Sequence, residues 1–515
     1  MLIKISYFAK SINKLICCMN KHIRFFVLCV LLIAPQALLV AQTFGPRILS
    51  MKDVVGLAQE NSISAMTNRN MFLSSYWSYR SYKAELLPSL NLSGNLANFN
   101  RSLVALQDYN TGAISYRTNY NLTNEMTMFV SQNIPFTGGT LSLSTSMSRL
   151  DQYSPTRLTT YYAQPVYLSY IQSLWGYNRF KWSRQIEPKN YEVAKREYIE
   201  NMEQVAQNAV MYFWNYASEK ENYERALTSF DESKRLYAAA RTRFNMGTIS
   251  KDNLLQLELK MLNDSLSISS REVSLKSALN RLCSYIGYQE DTELTLTIDY
   301  NIPHISLVYE EVLERAMQNS SFSINQEIQS LQADQSVAQA KANRGLSASI
   351  NARFGMSGSA ERMNETFVAL KDQEVVGVSL NIPIVDWGLG KGRVKMAQAQ
   401  AETTKSRLEQ NMIDYRQDLM TQVMQFNNQY HQCEISRKAA ELADETYNLA
   451  LRNFGQGNMS VTNLNQLKNE RDNAYSQYIS NVASFWSSYF GIRKTTLYDY
   501  ITNTDISAEF DKLVK

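Results

Sequence analysis

Val378-Ser379-Leu380-Asn381-Ile382-Pro383-Ile384 alternates apolar and small polar residues, then passes through Asp386-Trp387-Gly388 into a very long helical pattern. A shorter copy, Ser131-Gln132-Asn133-Ile134-Pro135, is followed by Thr137-Gly138-Gly139. In both, a period-2 strand pattern stops at a proline and a glycine-containing turn. A strand that hands over to a helix, written twice in one chain, sets the frame for everything around it.

Other segments recur in the same order. Val54, Ala58, Asn61 and Ser62 return as Val312, Ala316, Asn319 and Ser320, and Val210-Met211-x-Phe213-x-Asn215 returns as Val423-Met424-x-Phe426-x-Asn428. Phe244-x-x-Gly247-x-x-Ser250-x-x-Asn253-Leu254-x-Gln256-Leu257 returns as Phe454-x-x-Gly457-x-x-Ser460-x-x-Asn463-Leu464-x-Gln466-Leu467. An ordered series of this kind is the mark of an internal duplication. The expected organisation is a first repeat over 42–302, a second over 303–500 and a tail over 501–515. Each repeat reads helix, strands, long helix, turn, helix.

The opening helices are expected over about 50–84 and 306–343. The first long helix is expected from Tyr191, past Pro188, to Phe244, and the second from Lys391 to Phe454. Tyr198, Met202, Val205, Ala209, Tyr212 and Tyr216 step by four and three, as do Met412, Tyr415, Leu419, Val423 and Phe426. That spacing keeps one seam against neighbouring helices over many turns, as in a coiled coil. Strand patterns fall near 89–97, 118–134, 139–148, 164–174, 347–356 and 376–384, four in the first half and two in the second. Leu141, Leu143 and Met147 alternate with Ser142, Ser144, Ser146 and Ser148, so the polar face is small and uncharged.

Residues 1–41 carry five Lys or Arg, no acidic residue, and an apolar run from Phe25 to Val40 ending in Leu39-Val40-Ala41. This is the layout of a secretory signal. Without those five cations the formal charge falls from +4 to −1, which gives no electrostatic case for nucleic acid. Only Cys283 and Cys433 remain, too few for a disulfide framework. No later segment holds 18 consecutive apolar residues. An exported chain with alternating strands of this kind fits a barrel with lipid outside and water inside.

The duplicated halves, Leu380-Asn381-Ile382-Pro383-Ile384-Val385-Asp386-Trp387-Gly388 and the two Phe-x-x-Gly-x-x-Ser turns resemble the TolC family of outer-membrane efflux and secretion channels. Trp175-Gly176-Tyr177-Asn178-Arg179-Phe180-Lys181-Trp182 looks like its Bacteroidetes-type subfamily. The fold class this implies is an α+β membrane protein: a shared outer-membrane β-barrel continued by a long α-helical coiled-coil tunnel in the periplasm. It implies a homotrimer, a periplasmic adaptor (membrane fusion) protein, an inner-membrane pump of the RND or ABC type, and contact with outer-membrane lipid. The function implied is the exit duct of a tripartite efflux pump or type I secretion system.

The turns at Gly247, Ser250, Gly457 and Ser460 would form the periplasmic tip where the adaptor docks. Glycine ending a helix and serine capping the next would account for the same residues structurally. Family members carry acidic residues six and nine positions after the second turn glycine. Here Asn463 and Gln466 stand there, with Asn253 six after Gly247, so amide side chains rather than an acidic ring are expected to close the constriction. Trp175, Trp182 and Trp387 lie where strands meet helices, and indoles favour the membrane interface; an aromatic girdle is expected, with buried packing the alternative.

Gly388-x-Gly390-Lys391-Gly392 completes no phosphate-loop pattern, and His304 and His431 have neither metal-ligand nor triad spacing. No catalytic constellation and no cofactor is expected. A coiled-coil surface adhesin would explain the long helices but not the duplicated strand sets.

Overall fold

The computed structural model describes residues 47–107, 112–154, 156–288, 294–456 and 458–514. It falls into a unit Met1–Arg47 and a unit Ile48–Lys515, and the fold is that of the second. The expected signal over 1–41 and the tip residue Gly457 lie outside the described residues.

After a short strand β1 (Arg47–Leu49) come α1 (Met51–Asn61), α2 (Ile63–Glu85), β2 (Ser89–Gln107), β3 (Ile114–Ile134), β4 (Gly139–Ser154), β5 (Leu158–Ser173), α3 (Arg179–Asn245) and α4 (Lys251–Tyr285). Past β6 (Leu294–Leu296) the order returns as α5 (Tyr309–Asn319), α6 (Phe322–Arg344), β7 (Ser347–Ala360), β8 (Lys371–Asn381), α7 (Leu389–Gln456) and α8 (Val461–Thr496). Strands β9 (Tyr498–Asp499) and β10 (Thr504–Asp505) and helix α9 (Phe510–Val514) follow. The β9–β10 hairpin therefore straddles the boundary expected at residue 500.

The opening helix of each half is two helices. Ser62 takes an extended conformation after α1, and its hydroxyl accepts from Ala65 N at 3.0 Å, capping α2. A break follows wherever such a cap outcompetes continuation. Helix α3 begins twelve residues earlier than expected and carries Pro188 inside it. Asn178 caps it, its side-chain oxygen accepting from Phe180 N at 3.0 Å and Lys181 N at 3.3 Å. Proline costs the helix one hydrogen bond, but buried Phe180 and Ile186 hold this first stretch down. At 67 and 68 residues, α3 and α7 are each about 100 Å long. Among the described residues no helix is long and apolar enough to cross a membrane.

All six long strands join one antiparallel sheet in the order β2-β3-β4-β5-β7-β8. The β4–β5 hairpin thus belongs to the sheet. Register explains the sequence alternation: Leu90, Val130, Leu143, Leu168 and Phe354 are successive cross-strand partners, forming one apolar rung. The neighbouring rung is Ser89, Ser131, Ser142, Ser169 and Arg353, on the opposite face. In β2 a bulge between Asn95 and Asn98 puts Ala97 at φ 58°, and its amide donates to Asn124 Oδ1 at 2.8 Å.

The main core sits midway along the long helices. Val54 and Ala58 of α1, Val312 and Ala316 of α5, Val210 and Phe213 of α3, and Val423 and Phe426 of α7 are buried in one cluster. These are the recurring apolar positions of the sequence. Leu282 of α4 and Val482 and Phe485 of α8 complete the cluster. The C-terminal hairpin is tied to it by Arg493, which meets Glu203 at 3.0 Å and Asp499 at 3.2 Å. Phe510 of α9 packs on Phe72 at 5.1 Å between ring centres.

Phe426 is fully buried and stacks near Phe485 and Tyr489. Phe426→Ala is expected to cost about 3–5 kcal/mol, the usual range for an emptied aromatic core site. The midpoint of heat-induced helix loss in detergent is the measurement.

Candidate functional site

Two places on this frame carry the expected functional residues, the far end of the helices and the junction between helices and sheet; just inside the far end lies a third cluster that was not expected.

At the far end, Gly247 takes φ 74°, and its amide donates to Phe244 O at 2.9 Å, closing the end of α3. Ser250 Oγ accepts from Asn253 N at 3.3 Å, and Ser460 Oγ accepts from Asn463 N at 3.2 Å. Each serine is the N-cap of a returning helix. The two turns share one patch of packing: Leu257 and Val461 pack with Phe454 and Leu236, and Leu464 packs with the same two residues. Arg243 adds a polar tie, donating to Phe454 O at 3.3 Å and also to Gly455 O. It thereby satisfies carbonyls at the end of α7, which no intrahelical partner reaches. Asn463 and Gln466 are exposed and Asn253 is half-buried. Gln466 Nε2 donates to Glu470 Oε1 at 3.0 Å along its own helix. Within one chain these amides do not meet.

Just inside the tip lies a buried ionic cluster. Asp264 of α4 receives Ser233 Oγ of α3 at 2.6 Å, Lys260 Nζ at 2.6 Å and Lys468 Nζ of α8 at 3.4 Å. Glu232 of α3 accepts from Tyr447 OH of α7 at 3.0 Å and lies 3.8 Å from Arg471 of α8. The Arg471 guanidinium stands 4.2 Å over the Tyr447 ring. All four long helices therefore meet in one polar knot, about 12–20 Å from the turns by residue count.

Sequence reasoning missed this knot, although a signal existed. Val461, Leu464, Lys468, Arg471 and Tyr475 step by three and four, so a lysine and an arginine occupy seam positions of α8. Burial alone would raise the Asp264 pKa. Hydrogen bonds from Lys260 and Ser233 and the charge of Lys468 outweigh it and hold the carboxyl below its ordinary range. Burial lowers the Lys468 pKa.

At the junction, the two Asn-Ile-Pro copies are handled differently. Asn381-Ile382-Pro383 leads to Asp386, whose carboxylate accepts from Gly388 N at 2.9 Å and Gly390 N at 2.8 Å and caps α7. Those amide bonds hold its pKa below the usual carboxylate range. They also take up the amides that a phosphate would need in the Gly388–Gly392 stretch. In the first half Asn178 performs the join in space: while capping α3 it donates to Pro135 O at 3.2 Å and Phe136 O at 3.3 Å. Asn133 Nδ2 donates to Glu85 O at 3.2 Å, latching the same turn to the end of α2.

Trp387, at φ 52°, is 96% exposed, and Trp175 is exposed with it. Phe136, Ile384, Val385 and Leu389 are exposed at the same junction. Trp182 is different: it is half-buried against Ile186, Val193 and Ile328. Helix α3 begins early enough to carry that indole against the helix packing.

The fold is thus a six-stranded sheet, a junction with exposed apolar residues, and helices about 100 Å long ending in paired turns. Residues 315–484 match the outer membrane efflux protein family. The fold is similar to the outer membrane channel CmeC of Campylobacter jejuni (TM-score 0.63, 14% identity, covering 90% of this chain and 88% of that one). It is similar to the outer membrane protein VceC of Vibrio cholerae (TM-score 0.59, 12% identity, 88% and 96%). The open state of the MtrE channel of Neisseria gonorrhoeae also matches (TM-score 0.56, 14% identity, 87% and 88%). No curated protein matches at the level of sequence. The resemblance to TolC-family outer-membrane channels is thereby borne out.

Asp264 and Lys468 are both buried, so removing one partner strands the other. Asp264→Asn is expected to cost about 3–5 kcal/mol at neutral pH, and pairing it with Lys468→Met to recover most of that loss. Because the folded pKa lies below the ordinary 3.8, the stabilisation is present above that value and is lost as pH falls through the folded pKa. Unfolding midpoints from pH 7 down to strongly acid conditions are expected to fall less steeply in Asp264→Asn than in the parent.

Proposed function

We propose that the chain is an outer-membrane efflux channel that works as the exit duct of a tripartite pump, as a homotrimer whose sheets close one barrel. The carrying observation is the pair of sheet edges: β2 and β8 each have a strand on one side only. A row of unpaired backbone groups is not tolerated in lipid, so further copies must complete the ladder. Three copies of a six-stranded sheet make about 18 strands, a size known for water-filled barrels. The serine-rich rungs then face the water and the apolar rungs the lipid.

The helices support the same reading. Leu255, Leu259, Leu262 and Leu266 form an exposed stripe along α4, stepping by four and three. A second exposed stripe on α7 holds Ile413, Met420, Ile435, Leu442 and Leu449. Two different unpartnered stripes on one chain suit head-to-tail contact, which closes into a ring. The resulting tube would continue the barrel through the periplasm, with the two repeats supplying its staves and residues 1–41 directing export. Gly247, Ser250, Gly457 and Ser460 would present the tip to an adaptor protein. An RND-type or ABC-type pump in the inner membrane would supply the energy. Trp175 and Trp387 would sit at the periplasmic face of the membrane. An adhesin is not favoured, because it would leave the sheet edges and their apolar face without a purpose.

Ile435→Glu combined with Leu442→Glu is expected to abolish the trimer in native mass measurement while far-ultraviolet circular dichroism keeps the helix signal. A trimer that survives would remove the helix stripes from the interface. In planar bilayers Asn463→Ala with Gln466→Ala is expected to raise single-channel conductance. Unchanged conductance would mean that these amides do not form the constriction.

A further inference from the structure

The loop between β7 and β8, residues 361–370, folds back on the sheet. Its short 3-10 turn, Glu365–Phe367, packs back on β5 and β7. The face it covers can be read from register. Met126 pairs with Met147, Met147 with Ala163, and Ala163 with Gly358, and cross-strand partners share a face. Met126 is exposed on the same face as Met128 and Val130, the apolar side of the sheet. Ala163 lies on that side too, yet it is 0% exposed. The loop is over it: a Cβ on Gly358 would stand 2.0 Å from Thr366 O. Glycine at 358 leaves the space in which the loop is seated, and Thr366 is itself buried there.

The residues flanking this seat are exposed. Met363 is 54% exposed, Phe367 48% and Val368 82%. They continue upward the exposed apolar surface of Phe354 and Met356 on β7 and Val166 on β5. Charged groups mark the same height, with Arg149 3.0 Å from Asp151 and Arg362 3.6 Å from Glu365. Strands β5 and β7 are the fourth and fifth of six, so a copy added at the β2 or β8 edge continues the sheet beyond them.

We infer that this loop is a membrane anchor at the outer rim, which lays Met363, Phe367 and Val368 into the headgroup–acyl boundary of the outer leaflet and leaves the pore mouth clear. The occupant is a lipid surface, favoured by the exposed Val166, Phe354 and Met356 that adjoin the loop on β5 and β7 and by the charges of Arg149, Asp151, Arg362 and Glu365 beside it. On β8 the partners of Phe354 and Met356 are Glu374 and Asp372, so the apolar path is bounded by charge on that side. Burial of apolar side chains at that depth, with charged neighbours in the headgroups, is how interfacial segments are held. The inference rests on the outer-membrane reading above.

The test uses the trimer of the chain without residues 1–41 in phosphatidylethanolamine–phosphatidylglycerol vesicles, with an environment-sensitive fluorophore on Val368→Cys. The native Cys283 and Cys433 are buried, so labelling is confined to the new thiol. Met128→Cys on the lipid-facing side of β3 and Ser379→Cys on the opposite face of β8 are the controls. The label at 368 is expected to lose most of its emission to a nitroxide lipid labelled near its headgroup, and little to aqueous iodide. Quenching at 368 by iodide alone, with lipid quenching intact at 128, would overturn the anchor and leave the channel reading standing. Shielding at 368 from both quenchers would put protein rather than lipid over the loop, which also overturns it. Absence of lipid quenching at 128 would remove the membrane reading itself, and the anchor with it. In a second variant, Gly358→Leu added to Val368→Cys is expected to unseat the loop and shift its label from lipid to iodide quenching. An unshifted label would show that the Gly358 seat does not hold the loop against the sheet.

Discussion

An unpaired backbone amide or carbonyl in hydrocarbon costs several kcal/mol, and a sheet edge presents a whole row of them. The six-stranded sheet has two such edges, on β2 and β8. That single penalty makes a solitary chain untenable in a bilayer. It also gives a reason for a sheet unlike a soluble protein's, in which the apolar rung from Leu90 to Phe354 is exposed along its length, opposite a serine rung. The exposed stripes on α4 and α7 obey the same rule in milder form, since exposed leucines in water cost hydrophobic free energy rather than hydrogen bonds. Sheet edges and helix stripes thus pose the same problem, and the proposed association of several copies would answer both.

Much of this was legible because its determinants are periodic. Alternation over 139–148 and 376–384 located strands, and steps of three and four from Tyr198 to Tyr216 located a seam. All six strands read from the sequence join the sheet, and the recurring Val54, Ala58, Val312 and Ala316 prove to be core. What escaped was set by single polar contacts. Nothing periodic announces that Ser62 will cap a new helix at Ala65, or that Asn178 will start α3 well before Pro188. A cap on one side and buried Phe180 and Ile186 around it carry the helix through Pro188.

The candidate site was less legible than the fold, for a related reason. Gly247, Ser250 and Ser460 stand out because a left-handed turn and an N-cap narrow the residue choice. Lys468, Arg471, Asp264 and Glu232 do not, since charged residues are common on any long helix. Their meaning lies in their facing the seam. In water such residues would add little. Enclosed by four helices they become strongly dependent on one another, and the helix ends nearest the turns are held by polar geometry as well as by packing.

The two Asn-Ile-Pro stretches meet one requirement in two ways. In the second half the motif passes through an Asp386 cap directly into α7. In the first, the β4–β5 hairpin intervenes, and an unmediated join is impossible along the chain. Asn178 restores it through space, with one amide that caps α3 and binds the carbonyls of Pro135 and Phe136. The physical requirement at both places is the same: a strand end and a helix start must be fixed to each other so that a sheet in lipid meets helices in water without exposed backbone between them. Because a side chain from a distant residue can meet that requirement, two extra strands could be accommodated in one half only. The asymmetry of four strands and two is compatible with this, since the extra hairpin widens the sheet while Asn178 keeps the start of α3 fixed to the Pro135 turn.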